Sequence, residues 1–221
     1  MTQDARVLDA RLAVEWLREA ATVVRAERDN LTKLDAAIGD ADHGVNLDRG
    51  FSAVENALNE SAPATPGAVL ALAGRMLISS VGGASGPLYG TVLREASKSF
   101  GDAAEVDAAA LSAALQAGLV GVQKIGGAAS GDKTMVDALV PASSAMAAAV
   151  KSGGGLAEAV RAAASAAFDG ARATVPLEAR KGRASYLGPR SVGHQDPGAT
   201  STALLLSALQ RVLDRPAASP G

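Results

Sequence analysis

The chain has 221 residues, 48% of them hydrophobic and only 3% aromatic, with a formal net charge of −2 and no cysteine. That is enough apolar material for one large packed domain or two small ones, with a core built from Ala, Leu and Val. The charge excludes nucleic-acid binding through a basic face, and the lack of cysteine excludes a disulfide framework and thiol chemistry.

Asp4, Arg6, Asp9 and Arg11 precede any apolar run, unlike a secretory leader, and Arg75 breaks the best membrane-span candidate. No membrane partner is therefore expected, and the location predicted is cytoplasmic. From Asp9, the residues Leu12, Trp16, Ala20, Val23 and Val24 recur at helical spacing and predict a long amphipathic helix reaching towards Leu34.

The next stretch, Leu34 to Phe51, packs Asp35, Asp40, Asp42 and His43 around Gly39 and Gly44 with no Lys or Arg between Lys33 and Arg49. Unit charges ~4 Å apart at an effective dielectric of ~20 repel by roughly 4 kcal/mol per pair. Three carboxylates gathered without cations therefore point to a bound divalent ion, and oxygen ligands suit Mg²⁺ or Ca²⁺. Asp40 and Asp42 share a side of an extended loop. Asp35 joins them only if Gly39 ends its helix and turns the chain back. An EF-hand is excluded, because counting from Asp40 the sixth residue is Val45 and the twelfth is Phe51. A second helix, from about Asn46 to Leu58, offers free N–H groups to a phosphate at its start.

A third helix carries Val69, Leu70, Ala73, Met76 and Leu77 and stops at Gly82-Gly83. The loop Val81 to Leu88 reads as a tight helix turn or, beside an acidic metal loop, as a phosphate cradle in which Ser85 donates and Gly82, Gly83 and Gly86 allow close approach. A fourth helix runs to about Phe100 and a fifth from Asp107 to Gly126-Gly127. The run Gly126 to Thr134 is not a P-loop, since Asp132 separates Gly131 from Lys133; Asp132 is instead the expected N-cap of a sixth helix, bent at Pro141. A seventh helix spans about Leu156 to Thr174. Arg180, Lys181, Arg183 and Arg190 then form a basic loop suited to phosphate, and Asp196-Pro197 opens the last helix. About eight helices and no strand are predicted. The unusual loops follow helices one, three, five and seven, and in an up-and-down array alternate connections meet at one rim.

The runs GDADHGVNLDRGF, SSVGGASGPLYGT, GDKTMVDAL and ARKGRASYLGPRSVGHQDPGATS strongly resemble the nucleotide-binding L-subunit family of bacterial dihydroxyacetone kinases, in order and over nearly the whole chain. The resemblance implies an all-α barrel of antiparallel amphipathic helices with the nucleotide at one rim, in a single domain over residues 1–215; the chain end from Pro216, residues 216–221, is itself expected to be a disordered tail. It implies that Asp35, Asp40 and Asp42 hold a pair of Mg²⁺ ions on the phosphates of ADP or ATP. His43, Gly44, Val45, Asn46, Ala84 and Ser85 would line the phosphates and ribose, and Gly126 and Met135 would border the adenine. Arg183 and the Asp196-Pro197-Gly198 turn would complete the pocket.

In that family the dihydroxyacetone is held on a separate K subunit, and a phosphohistidine on an M subunit recharges the bound ADP. The resemblance thus implies a phosphoryl-transfer subunit with no nucleophile of its own, dependent on the phosphoenolpyruvate phosphotransferase system. Two other roles occur among relatives: the nucleotide-exchanging half of an ATP-dependent kinase, and a nucleotide-sensing partner of a transcription regulator. His43 is read as a nucleotide contact or a structural hydrogen-bonder rather than as a base, and His194 as a loop hydrogen-bonder.

Overall fold

The structure, a computed structural model, describes residues 6–215. Among the described residues eight α-helices make the fold: α1 Ala10–Ile38, α2 His43–Glu60, α3 Pro66–Ser80, α4 Ser85–Phe100, α5 Ala108–Gly126, α6 Val136–Lys151, α7 Leu156–Ala173 and α8 Pro197–Asp214. Each packs on the next, and α8 packs back on α1, closing the antiparallel all-α ring that the sequence predicts. The closure is specific: Trp16 Nε1 donates to the Leu205 carbonyl at 2.9 Å. Glu19, which is only 12% exposed, pairs with Arg211 and Arg215.

The helix starts follow capping chemistry. Asp9, Thr65, Asp107 and Asp196 each accept a first-turn N–H, and Pro66 and Pro197 occupy first helical positions where no N–H is needed. Inside the ring the buried positions are mostly Ala, Leu and Val, with Phe51 and Tyr89 among the few aromatics. Small residues set the helix spacing. A Cβ on Gly44 would stand 2.0 Å from the Arg28 carbonyl of α1, and one on Gly170 would stand 2.2 Å from the Asp137 carbonyl of α6.

Several expectations are corrected. A short antiparallel bridge, β1 Leu8–Asp9 with β2 Glu105–Val106, ties the N-terminus to the α4–α5 connection. Helix α2 begins at His43, not near Asn46, because the Asp35 carboxylate takes its first N–H. Asp132 does not cap α6; its carboxylate accepts the Ala129 N–H. Asp137 organises that turn, accepting from Gly131 N at 2.5 Å and from Thr134 N at 2.8 Å. Pro141 lies inside α6 as predicted, its ring beside the bare Gly170 of α7. Among the described residues α5, with a mean hydropathy of 1.3, is long and apolar enough to cross a membrane. Here it is one stave of the ring, packed against α4 and α6. The tail from Pro216, expected to be disordered, lies outside the described residues.

Candidate functional site

Four connections at one rim line a cleft of about 330 Å³. They are the ones after α1, α3, α5 and α7. The first brings Asp35, Asp40, Asp42 and His43, and the second Gly82, Gly83, Ala84 and Ser85. The third brings Lys133, Thr134 and Met135. The fourth brings Lys181, Gly182 and Arg183 together with Asp196, Pro197 and Gly198. A separate void of about 70 Å³ within the ring is lined almost wholly by core side chains such as Leu17, Phe51 and Leu139, and offers no cluster of polar groups.

The acidic corner is built by α1 stopping at Gly39. A Cβ there would lie 2.1 Å from Asp35 Oδ1, so the glycine is required by space. Asp35 Oδ2 accepts from the backbone N–H of Asp42 at 2.8 Å and of His43 at 3.1 Å, which folds the loop over the helix end. Asp40 and Asp42 do not converge through an extended chain, as the spacing predicts. Ala41 between them adopts φ 62°, a left-handed turn unusual for a residue with a side chain.

Asp35, Asp40 and Asp42 can each offer an oxygen within 4.8 Å of the others. Asp35 is buried and the other two are exposed. This donor set fits a hard divalent cation such as Mg²⁺, with room on the solvent side for ligand and water oxygens. The sequence places no cation near the trio, but folding brings Arg183 Nε to 3.0 Å from Asp40 Oδ2. Both partners are substantially exposed, and such pairs contribute only about 0–1 kcal/mol. Arg183 therefore leaves the mutual repulsion of the carboxylates mostly uncompensated, and its place on Asp40 is easily exchanged.

Beside the acids, His43 is buried, with Ser85 Oγ 3.2 Å from Nδ1 and Ser201 Oγ 2.8 Å from Nε2. Ser201 donates its own proton to the Pro197 carbonyl at 2.9 Å, so the arrangement is satisfied with the proton on Nε2 and Nδ1 accepting from Ser85. Burial holds the imidazole pKa below its usual 6.5 despite the nearby Asp35 and Asp42. His43 is thus a neutral bridge between α2, α4 and α8. Tyr89 adds a second bridge, its hydroxyl 2.6 Å from Ser201 Oγ and 2.9 Å from the Gly198 carbonyl, and burial pushes its pKa up to about 12. Asp196 caps α8 through the Ala199 N–H at 2.6 Å, and burial pushes its carboxyl up to about 7.

Of the other residues singled out by sequence, Gly44, Val45 and Asn46 do not line the cleft. Gly44 lets α2 touch α1, and Val45 is half exposed. Asn46 Oδ1 accepts from Arg49, whose Nε donates to the Ser80 carbonyl at 2.8 Å, so this pair props the α3–α4 loop. Gly86 allows close approach to the Val81 carbonyl of its own loop. Gly126 borders an apolar hollow continuous with the cleft, sharing Ala84, Leu88, Met135 and Lys181 with it. His194 meets the loop through its carbonyl, which accepts from Lys133. Spacing presents Lys133 only as a misplaced P-loop lysine and does not predict its buried place beneath the cleft. The available signal was its place in the one charged pair, Asp132-Lys133, of the run from Gly126 to Val136.

The DAK2 domain matches residues 37–211. The ADP-binding subunit DhaL of the PEP-dependent dihydroxyacetone kinase of Escherichia coli K12 is 42% identical over 196 residues, 89% of this chain and 93% of that subunit. The corresponding subunit of kinase 1 of Listeria innocua is 43% identical over 197 residues, again 89% and 93%. The crystal structure of the C. freundii dihydroxyacetone kinase superposes with a TM-score of 0.71 at 26% identity, covering 96% of this chain and 37% of the kinase. Its complex with AMP-PNP and Mg²⁺ superposes with a TM-score of 0.69, covering 95% and 35%. On the domain match and on relatives that it spans almost end to end, the chain belongs to the DAK2 domain family.

Proposed function

We propose that this chain is the nucleotide-carrying subunit of a PEP-dependent dihydroxyacetone kinase, holding ADP with Mg²⁺ in the rim cleft. The observation that carries the reading is the convergence of three carboxylates within 4.8 Å of one another in a cleft that also holds Ser85, Lys181 and Arg183. Asp35, Asp40 and Asp42 would hold the metal, taken as a pair of ions. When bound, the metal neutralises phosphate charge. The chain's own residues bind and orient: Arg183 and Lys181 supply positive charge at the mouth, and Met135 and Gly126 flank an apolar hollow suited to a flat base. The backbone at Ala84-Ser85 and Asp196-Pro197-Gly198 completes the wall.

No nucleophile is needed, because phosphoryl transfer rests mainly on positioning and charge stabilisation. The acceptor would be dihydroxyacetone on a separate K subunit, and the donor a phosphohistidine on an M subunit. One domain over residues 1–215 and a cytoplasmic location belong to the same proposal, supported by the closed ring and by the relatives' PEP-dependent role. The regulator-binding role rests on resemblance alone and is not proposed.

A second reading, a nucleotide-exchanging kinase half, is favoured by the likeness to about a third of longer kinases. The L-erythrulose 1-kinase of Mycolicibacterium smegmatis is 38% identical over 36% of its length. One experiment separates the two. The purified protein is denatured and the released nucleotide identified, and in parallel the folded protein is mixed with labelled ATP. Retained ADP that is rephosphorylated by a phosphohistidine donor and does not exchange is the expected result. Rapid exchange with free ATP would establish the second reading instead.

A further inference from the structure

The fourth wall of the cleft is the connection 174–196, which carries Lys181, Gly182, Arg183 and Asp196 and contains only a broken 3₁₀ stretch, Arg183–Ser191. Such a segment has little regular backbone pairing to hold it, yet its two arms must sit side by side for the cleft to exist. Lys133 lies under both arms. It is 1% exposed, on the loop before α6, with φ 62°. Its Nζ donates to the carbonyls of Thr174 at 2.8 Å and Leu177 at 3.1 Å on the first arm, and of His194 at 2.5 Å on the second, with the Val175 carbonyl at 3.5 Å. These oxygens include the end of α7, the negative pole of its helix dipole. The adjacent Asp132 carbonyl accepts from Arg180 N at 3.1 Å. The gathered arms are then laced by Gly193 N to the Val175 carbonyl and by Asp196 N to Thr174 Oγ1.

We infer that Lys133 is a positioning residue for nucleotide binding, an internal cation whose ammonium draws the two arms of the 174–196 connection together and so sets Arg183 and Asp196 at the cleft. The chemistry explains the residue type. A compact ammonium with three donors satisfies carbonyls converging from several directions, whereas a planar guanidinium fork does not. A buried charge is costly unless it is hydrogen-bonded, and the carbonyl cage supplies those bonds, although burial still holds the Lys133 pKa below its usual 10.5 against the opposing pull of Asp196 and Asp137. The cage is also the oxygen environment of a monovalent cation, so removing the side chain leaves a site that ammonium can enter.

The inference rests on the nucleotide reading of the cleft, and the test keeps the two apart. Lys133→Met fills the volume without the charge, and Lys133→Ala empties it. For each, MgADP affinity is measured well below the unfolding temperature, alongside helicity and amide exchange. Both variants are expected to stay helical, to exchange faster in 174–196 than in α1–α5, and to bind MgADP more weakly by roughly tenfold or more. Ammonium chloride, against tetramethylammonium as control, should restore much of the affinity of Lys133→Ala and none of Lys133→Met. Unchanged affinity in both variants, or faster exchange spread evenly over all helices, would overturn the inference and leave Lys133 a core staple. If the wild type itself binds no MgADP, the nucleotide reading fails, and the exchange pattern and its ammonium rescue still decide whether Lys133 gathers the two arms. Should neither variant fold, the ¹⁵Nζ resonance of Lys133 in the wild type is expected to be slow to exchange with water and to shift on MgADP addition. An unshifted or rapidly exchanging signal would overturn the inference.

Discussion

At the scale of single residues, charge in this rim is set by burial as much as by pairing. Asp196 is the clearest case. Its carboxyl is pushed from 3.8 to about 7 by burial, with Asp137 and Asp35 adding to the shift and the Ala199 N–H and Lys133 opposing it. Between about pH 4 and pH 7 the folded chain carries the extra proton, so this group's contribution to stability falls as pH rises through that window and is flat above it. The full span is about 4 kcal/mol. Asp196→Asn keeps a capping oxygen and removes the titration. The unfolding free energy of the variant is therefore expected to gain on the wild type from pH 5 to about pH 7 and then to level off, as read from denaturant midpoints. A gap that stays constant would contradict the assignment. His43, held below 6.5, acts in the opposite direction, since the unfolded chain then binds the extra proton and acid destabilises. It contributes equally to both chains and cancels in the comparison. Neither shift could be read from the sequence, because burial arises only when α2, α4 and α8 meet.

Among elements, the contact of α1 with α2 sets the acidic corner. The acidic trio was legible from its spacing, and so was the need for Gly39 to end α1. The reason was not: Gly39 is required because any Cβ would strike Asp35, while the left-handed residue of the loop is Ala41. Gly44 has a packing role that its place in the acidic loop does not announce. Gly44→Ala places a methyl 2.0 Å from the Arg28 carbonyl, a backbone atom that cannot rotate away. The two helices must separate, at a cost of about 1–3 kcal/mol, and the loop carrying Asp40 and Asp42 must move with them. Thermal unfolding of the variant is expected to shift down, with weaker metal-dependent nucleotide binding. Wild-type stability and binding together would show that the helix contact is not required. The α6 turn shows a further limit of spacing rules. Asp132 and Asp137 both precede or open a helix, and only the folded loop shows that Asp137 takes the N–H groups of Gly131 and Thr134 while Asp132 turns back to Ala129.

For the molecule as a whole, the ring topology brings four connections to one cleft. Helical periodicity and glycine punctuation made the eight staves legible, the closed ring was implied by the family resemblance, and alternation put the four unusual connections at one rim. The short β1–β2 bridge was not legible, because two-residue strands carry no periodic pattern. The 174–196 connection was equally opaque beyond its charge, since its shape depends on a buried lysine from a different loop. The proposed role of Asp35, Asp40 and Asp42, holding the metal through which the cleft grips a diphosphate, is open to direct test. The direct measurement is MgADP binding by titration calorimetry, with and without chelator, for the wild type and for Asp35→Asn, Asp40→Asn and Asp42→Asn, with helicity checked in each. Binding that requires Mg²⁺ and falls by roughly a hundredfold or more in each variant at unchanged helicity is the expected result. ADP held equally tightly in chelator, or by any of the three variants, would contradict it.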